Sequence, residues 1–224
     1  MKQRQIMFNP ISQMMEFLGI SKEEKIICFN LFRLGIYFFL LMLLAFGMWG
    51  IANIYGTKTF EEYGLVENLQ IIMLILSGII FLYMGWRRIF CRPLSFLFAS
   101  LTFFASIREL DAFFDRILPI ISWKFAFLFP LLGLWFLFKK RHEIRRSAFN
   151  FFNSPSFYLM LSAMIIFLPL AQCIGHKKMI VDVLGGAKNA IYVRRLIEES
   201  MELMAYVLIL LSAIELRWSA KKDK

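Results

Sequence analysis

Six stretches of about twenty predominantly apolar residues, separated by short polar connections, make up most of this chain. At a rise of about 1.5 Å per residue, that length covers the roughly 30 Å hydrocarbon core of a bilayer. The segments run Leu31–Ile54, Val66–Phe90, Pro93–Phe114, Leu118–Phe138, Pro155–Gly175 and Arg195–Leu216. With 59% hydrophobic residues, 26 Phe and 13 Met in 224 positions, the chain carries more apolar surface than a soluble core of its size buries. Lipid solvates that surface without cost. The sequence therefore predicts an all-α polytopic membrane protein, a bundle of six transmembrane helices.

The connections set the orientation. Arg87, Arg88 and Arg92 lie between the second and third segments, Lys139, Lys140, Arg141, Arg145 and Arg146 between the fourth and fifth, and Arg217, Lys221, Lys222 and Lys224 after the sixth. The opposite connections carry Glu61 and Glu62, then Asp115 with Arg116, then a mixed stretch from His176 to Arg194. Basic loops stay on the cytoplasmic side, so both termini are expected there. Lys177, Lys178, Lys188, Arg194 and Arg195 dissent in the last outer loop and are outvoted. The expected organisation is a cytoplasmic interfacial amphipathic segment over 1–30, a six-helix domain over 31–217 and a basic cytoplasmic tail over 218–224, in a plasma (bacterial inner) membrane. Ser21-Lys22-Glu23-Glu24 fits a capping box at the start of a helix. Trp86 and Trp218 fall at the inner boundary, and Tyr63, Trp123 and Tyr192 at the outer one, as aromatic anchors.

The net charge of +10 is explained by these loops, which touch anionic headgroups on the cytoplasmic side. No nucleic-acid recognition motif accompanies it, so no nucleic-acid partner is expected. The sequence leaves the oligomeric state open. Cys28, Cys91 and Cys173 fit no metal or redox spacing.

Charge inside the apolar segments is the functional signal, because an ionisable group in a membrane span costs several kcal/mol unless paired or hydrated. Ser106-Ile107-Arg108-Glu109-Leu110-Asp111 closes the third segment, and Glu198-Glu199-Ser200-Met201-Glu202 opens the sixth. Counting from Pro93, Glu109 sits about 24 Å along its helix, and Glu202 about 10 Å below the outer end of the sixth. Glu67 and Gln70 open the second segment on that side, Trp123 and Lys124 the fourth, and Gln172 and His176 close the fifth. Five spans thus deliver polar groups to one level. The candidate ligand- or ion-binding residues are Glu67, Gln70, Arg108, Glu109, Asp111, Lys124, Glu198, Glu199 and Glu202.

Spacing refines the picture. Residues three, four and seven apart share a helix face, which groups Arg108 with Asp111 and Asp115, stacks Glu198 on Glu202, and sets Arg195 beside Glu198 and Glu199. Two stacked carboxylates repel, so Arg108, Lys124, a bound cation or a proton must offset them. The plain alternatives stand beside this. Glu67 and Glu198 serve equally as acids at helix N-termini, Arg108 with Asp111 as an interhelical clamp, Lys124 as a snorkelling side chain, and Glu215 beside Arg217 as ordinary interfacial charge. Pro130 and Pro169 are expected to kink the fourth and fifth helices.

The chemistry is bounded by what is missing. With His142 and His176 as the two histidines and the cysteines dispersed, zinc is disfavoured. The Glu-x-x-His pairs of di-iron bundles and the histidine pairs of membrane haems are absent, as are nucleotide motifs. A hard cation held by Glu109, Asp111, Glu198 and Glu202 is compatible with the residue types, and no cofactor is assigned. Three functions follow: an outward acid–base pocket that binds a cation, proton or polar ligand, with a transporter as its extended form; a lipid- or envelope-modifying enzyme using paired carboxylates at the outer leaflet; or a non-catalytic subunit or assembly factor with the charges as clamps. The first needs only the geometry. Whether the chain is an enzyme stays open at this stage.

Overall fold

The computed structural model describes residues 22–60, 64–110, 123–174 and 187–222, and among them every element is helical. The chain divides into two units, 1–46 and 47–224. The helices are α1 (Lys22–Tyr55), α2 (Leu65–Trp86), α3 (Arg92–Glu109), α4 (Leu128–Lys139), α5 (Ile144–Phe152), α6 (Pro155–Ile165), α7 (Ala171–Ile174) and α8 (Ala187–Lys222). Short 3₁₀ turns cover Gly56–Phe60, Trp123–Phe127 and Arg141–Glu143. Among the described residues three stretches are long and apolar enough to cross a membrane: Ile27–Tyr55, Leu65–Trp86 and Tyr192–Ala220. Two shorter apolar helices, Phe125–Lys139 and Pro155–Leu170, accompany them.

Apart from α5, the helices overlap the apolar segments read from the sequence, three of them at membrane-spanning length. The start of α1 directly follows Ser21, but the capping box and the rest of 1–21 lie outside the described residues. So do Tyr63, Asp111 to Ser122, and Gly175 to Gly186.

Within the second unit, α2 packs against α3 and α8, α3 against α4, and α8 against α6. Helices α2 and α8 run in the same direction. Gln70 meets Glu199 at one end, while Phe81 and Met84 meet Ala213 and Leu216 at the other. Without water between them, membrane helices pack through small residues and interhelical hydrogen bonds. A Cβ placed on Gly78 of α2 would lie 2.9 Å from the Phe103 ring and 3.0 Å from Thr102 Oγ1 of α3. On α6 and α8, Ser156 Oγ donates to the Ser212 carbonyl at 2.8 Å and Ser212 Oγ to the Ser156 carbonyl at 2.9 Å, both serines fully buried.

Both prolines have local explanations. Pro169 sits in a π-helical turn, Ile166–Leu170, between α6 and α7, the distortion expected where a ring removes a donor. Pro130 is the third residue of α4, in the first turn, where its missing N–H breaks no bond; the expected mid-helix kink is replaced by a helix start.

The end of α2 forms a Schellman motif: Ile89 N–H donates to the Met84 carbonyl at 3.0 Å and Arg88 N–H to the Gly85 carbonyl at 3.4 Å. The left-handed position of this motif usually holds glycine. Here it holds Arg88, at φ 51°, at a conformational cost of roughly 1–2 kcal/mol.

Candidate functional site

The polar end of the bundle is built by α2, α3 and α8. Gln70, one turn into α2, is fully buried, and its amide Nε2 donates to the Glu199 carbonyl at 3.1 Å and to Glu199 Oε2 at 3.0 Å. The last turn of α3 presents Arg108 and Glu109. Arg108 Nη2 lies 3.2 Å from Glu109 Oε1 and 3.5 Å from Glu202 Oε1 of α8. One turn beyond Glu202, Tyr206 donates its hydroxyl to Glu109 Oε1 at 2.7 Å. The Arg108 guanidinium also stands 5.2 Å over the Phe167 ring, which packs against Tyr206. Phe167 lies in the π-helical turn, so the distortion around Pro169 contributes an aromatic wall to this site.

Glu202 is buried at 5% exposure and the Glu109 side chain at 10%, while Arg108 remains 39% exposed. Glu199 interacts electrostatically with Glu109, Glu198 and Glu67, and Glu202 with Glu109, Glu199 and Glu198. Arg194 pairs with Glu198 at 3.2 Å, an i,i+4 contact on α8.

The expected residues are therefore largely brought together. Glu67, Gln70, Arg108, Glu109, Glu198, Glu199 and Glu202 share one end of the bundle. Asp111 lies outside the described residues, as does the Lys124 side chain, so neither can be placed in the cluster. Arg108 takes Glu109 and Glu202 as partners, and the cation beside Glu198 is Arg194 rather than Arg195. Tyr206, Phe167 and Arg194 join the site without having been singled out in the sequence. Tyr206 had a legible signal, since it follows Glu202 by four residues and so shares its face.

Glu109 and Glu202 flank the Arg108 guanidinium, while the third carboxyl, that of Glu199, is held by Gln70. The formal sum of three negative charges and one positive is −2 when all are ionised. The partner that Glu199 takes from α2 is the neutral Gln70 amide. The Oε1 of that same amide is buried and accepts no hydrogen bond from the described residues. Rotating the amide would bring oxygen against the Glu199 oxygens and leave an NH₂ in the orphan position. Among the described residues no three His, Cys, Asp or Glu side chains converge as a metal-binding group. The arrangement suits a positively charged or hydrogen-bond-donating group better than a metal ion coordinated by protein alone.

Fold and site together define a helical membrane-type protein with a polar cluster at one end of its bundle. No family model, curated protein or solved structure matches the chain.

Proposed function

We propose that this is a six-span membrane protein with cytoplasmic termini, and that its outward-facing acidic cluster binds a cationic ligand between α2, α3 and α8. The observation that carries this reading is Gln70: fully buried, bonded to Glu199, yet with an amide oxygen that no donor among the described residues satisfies. A buried acceptor of that kind costs roughly 1–3 kcal/mol when left without a donor. The carboxyls of Glu199 and Glu202 nearby attract the same kind of partner. An ammonium or hydrated cation would satisfy both at once, accepted by Gln70 Oε1, Glu199 and Glu202. The basic connections at the other end support the assignment of that end to the cytoplasm.

The test is thermal stability of the purified protein in uncharged detergent across Na⁺, K⁺, Mg²⁺, Ca²⁺ and methylammonium. A ligand present at about 100 times its Kd stabilises by about 2.7 kcal/mol. At least one cation should raise Tm in the wild type and lose that effect in Glu199→Gln and Glu202→Gln. If no cation moves the wild type, or the variants respond as it does, the proposal fails.

A second reading is favoured by the Arg108–Glu202 and Tyr206–Glu109 bonds, which tie α3 to α8. If the charges are clamps only, Arg108→Leu combined with Glu202→Leu recovers most of the Tm that either variant loses alone, and cations have no effect.

A further inference from the structure

At the opposite end of the same bundle lies a cavity of about 550 Å³. The turn after α2 and the start of α3 supply Arg88 and Arg92, and the end of α4 supplies Lys140. Ser147, Asn150, Ser154 and Ser219 complete the polar part, with the three serine hydroxyls donating to the Glu143 and Phe151 carbonyls and to Glu215, and Phe90, Phe136 and Leu216 form apolar wall. Glu143 also lines it and pairs with Lys140 at 3.6 Å. Three positive charges against one negative leave a formal +2. Glu215 lies behind Ser219, fully buried and 3.5 Å from its hydroxyl.

We infer that this cavity binds a phosphate group, presented by an anionic lipid headgroup at the membrane surface. This is a different site from the acidic cluster and does not rest on the reading given for it. Guanidinium and ammonium groups match phosphate oxygens, and the guanidinium fork does so in a bidentate way. Apolar wall beside the cations fits a headgroup whose chains continue into lipid. Trp86, two residues before Arg88, is 76% exposed, and Trp218, beside Ser219, is 50% exposed, as expected of aromatic side chains at the membrane boundary.

Arg88 gives the inference its force. It occupies the left-handed position of the Schellman motif, where glycine is the unstrained choice. A side chain kept at that conformational cost on the wall of the cavity is explained if it serves a ligand there.

That point also supplies a test which does not depend on a damaged fold. Arg88→Gly relieves backbone strain, so the variant should fold at least as stably as wild type while losing the guanidinium. Binding is read with the full-length protein by native mass spectrometry against phosphatidylglycerol and phosphatidylcholine, and by Tm shift against inorganic phosphate. The expected result is preferential retention of phosphatidylglycerol by the wild type, weakened at least tenfold in Arg88→Gly and in Arg92→Gln, with Lys139→Gln as an unaffected neighbour. A Tm rise with inorganic phosphate alone, abolished by Arg88→Gly, supports the same site with a soluble anion as the source. Equal retention of both lipids with no response to phosphate, or undiminished binding by Arg88→Gly, overturns the inference.

Discussion

Helix α4 has one buried residue among those described, Gly133, and that residue decides how closely α4 approaches α3. A Cβ built on Gly133 would lie 3.1 Å from Ser100 Cβ and 3.2 Å from Leu97 Cα, and closer still to Ser100 Oγ. The Leu97 atom is backbone and cannot swing away. Ser100 Oγ is itself held by a 2.7 Å bond to the Leu97 carbonyl. Carbon pairs pack best at about 3.5–4.0 Å, so Gly133→Ala must push the helices apart by roughly 0.5 Å. Overpacking of that kind costs about 1–3 kcal/mol. Removing a mid-helix glycine returns roughly 0.5–1 kcal/mol of backbone entropy. The net expectation is destabilisation by about 1 kcal/mol, or a fall of about 2–4 °C in Tm for a chain of this size.

The assay is fluorescence-detected size-exclusion after heating in one detergent, with two companions. Gly50→Ala has nothing within 4 Å of the new Cβ and should match or exceed wild type. Gly133→Ala combined with Ser100→Ala removes the hydroxyl and should recover part of the loss, leaving the Leu97 contact. A Gly133→Ala variant as stable as wild type, beside an unaffected Gly50→Ala, would show that α4 does not seat on α3 at backbone distance.

Two further expectations concern single hydrogen bonds. Ser156→Ala and Ser212→Ala should each lower stability by about 1–2 kcal/mol, and their double-mutant cycle should show coupling of about 0.5–1.5 kcal/mol; strictly additive losses would mean that the two serines do not act as a pair. Tyr206→Phe keeps the ring against Phe167 but deprives Glu109 of a 2.7 Å donor, so it should cost about 1–3 kcal/mol in thermal or denaturant unfolding. A neutral Tyr206→Phe would remove the hydroxyl from the account of the site.

The helical segments were legible because a bilayer demands apolar length and little else, and length survives without knowledge of neighbours. That the charged residues of α3 and α8 fall at one end of the bundle was legible for the same reason, since position along a helix follows from residue count. Partners were not. Helical spacing sets Arg108 beside Asp111, yet α3 ends at Glu109, and Arg108 bonds Glu109 and reaches across to Glu202, because which faces meet depends on packing between helices. Glu215 shows the same limit. Beside Arg217 it reads as interfacial charge, but it is fully buried, while Arg217 stacks over Tyr83.

A membrane bundle reverses the usual guide to its interior. Phe38, Leu131 and Trp135 are exposed to the extent of 59–65%, whereas Gln70, Ser95, Thr102, Ser106, Ser212 and Glu215 are buried. Ser95, Ala99, Thr102 and Ser106, at steps of four, three and four, trace the buried face of α3. Small and polar residues at helical spacing were thus the core signal in this chain, as packing without a hydrophobic drive between helices requires.

The same stripe on α8 bears on whether anything passes through the bundle. Glu199, Glu202 and Tyr206 lead down from the acidic end, and Ser212, Glu215 and Ser219 lead up from the basic end. Between Tyr206 and Ser212 lie about 9 Å of helix, where Leu208 and Leu211 are buried. On α2, Leu74 and Phe81 are fully buried, and Ser77 between them donates its hydroxyl to the Met73 carbonyl of its own helix at 2.7 Å. A cation held at Glu199 and Glu202 therefore meets apolar packing before the next polar group on α8, and desolvating it there costs far more than thermal energy supplies. In this conformation the two ends are separate sites, one acidic and one basic. The geometry argues against a continuous polar path between them.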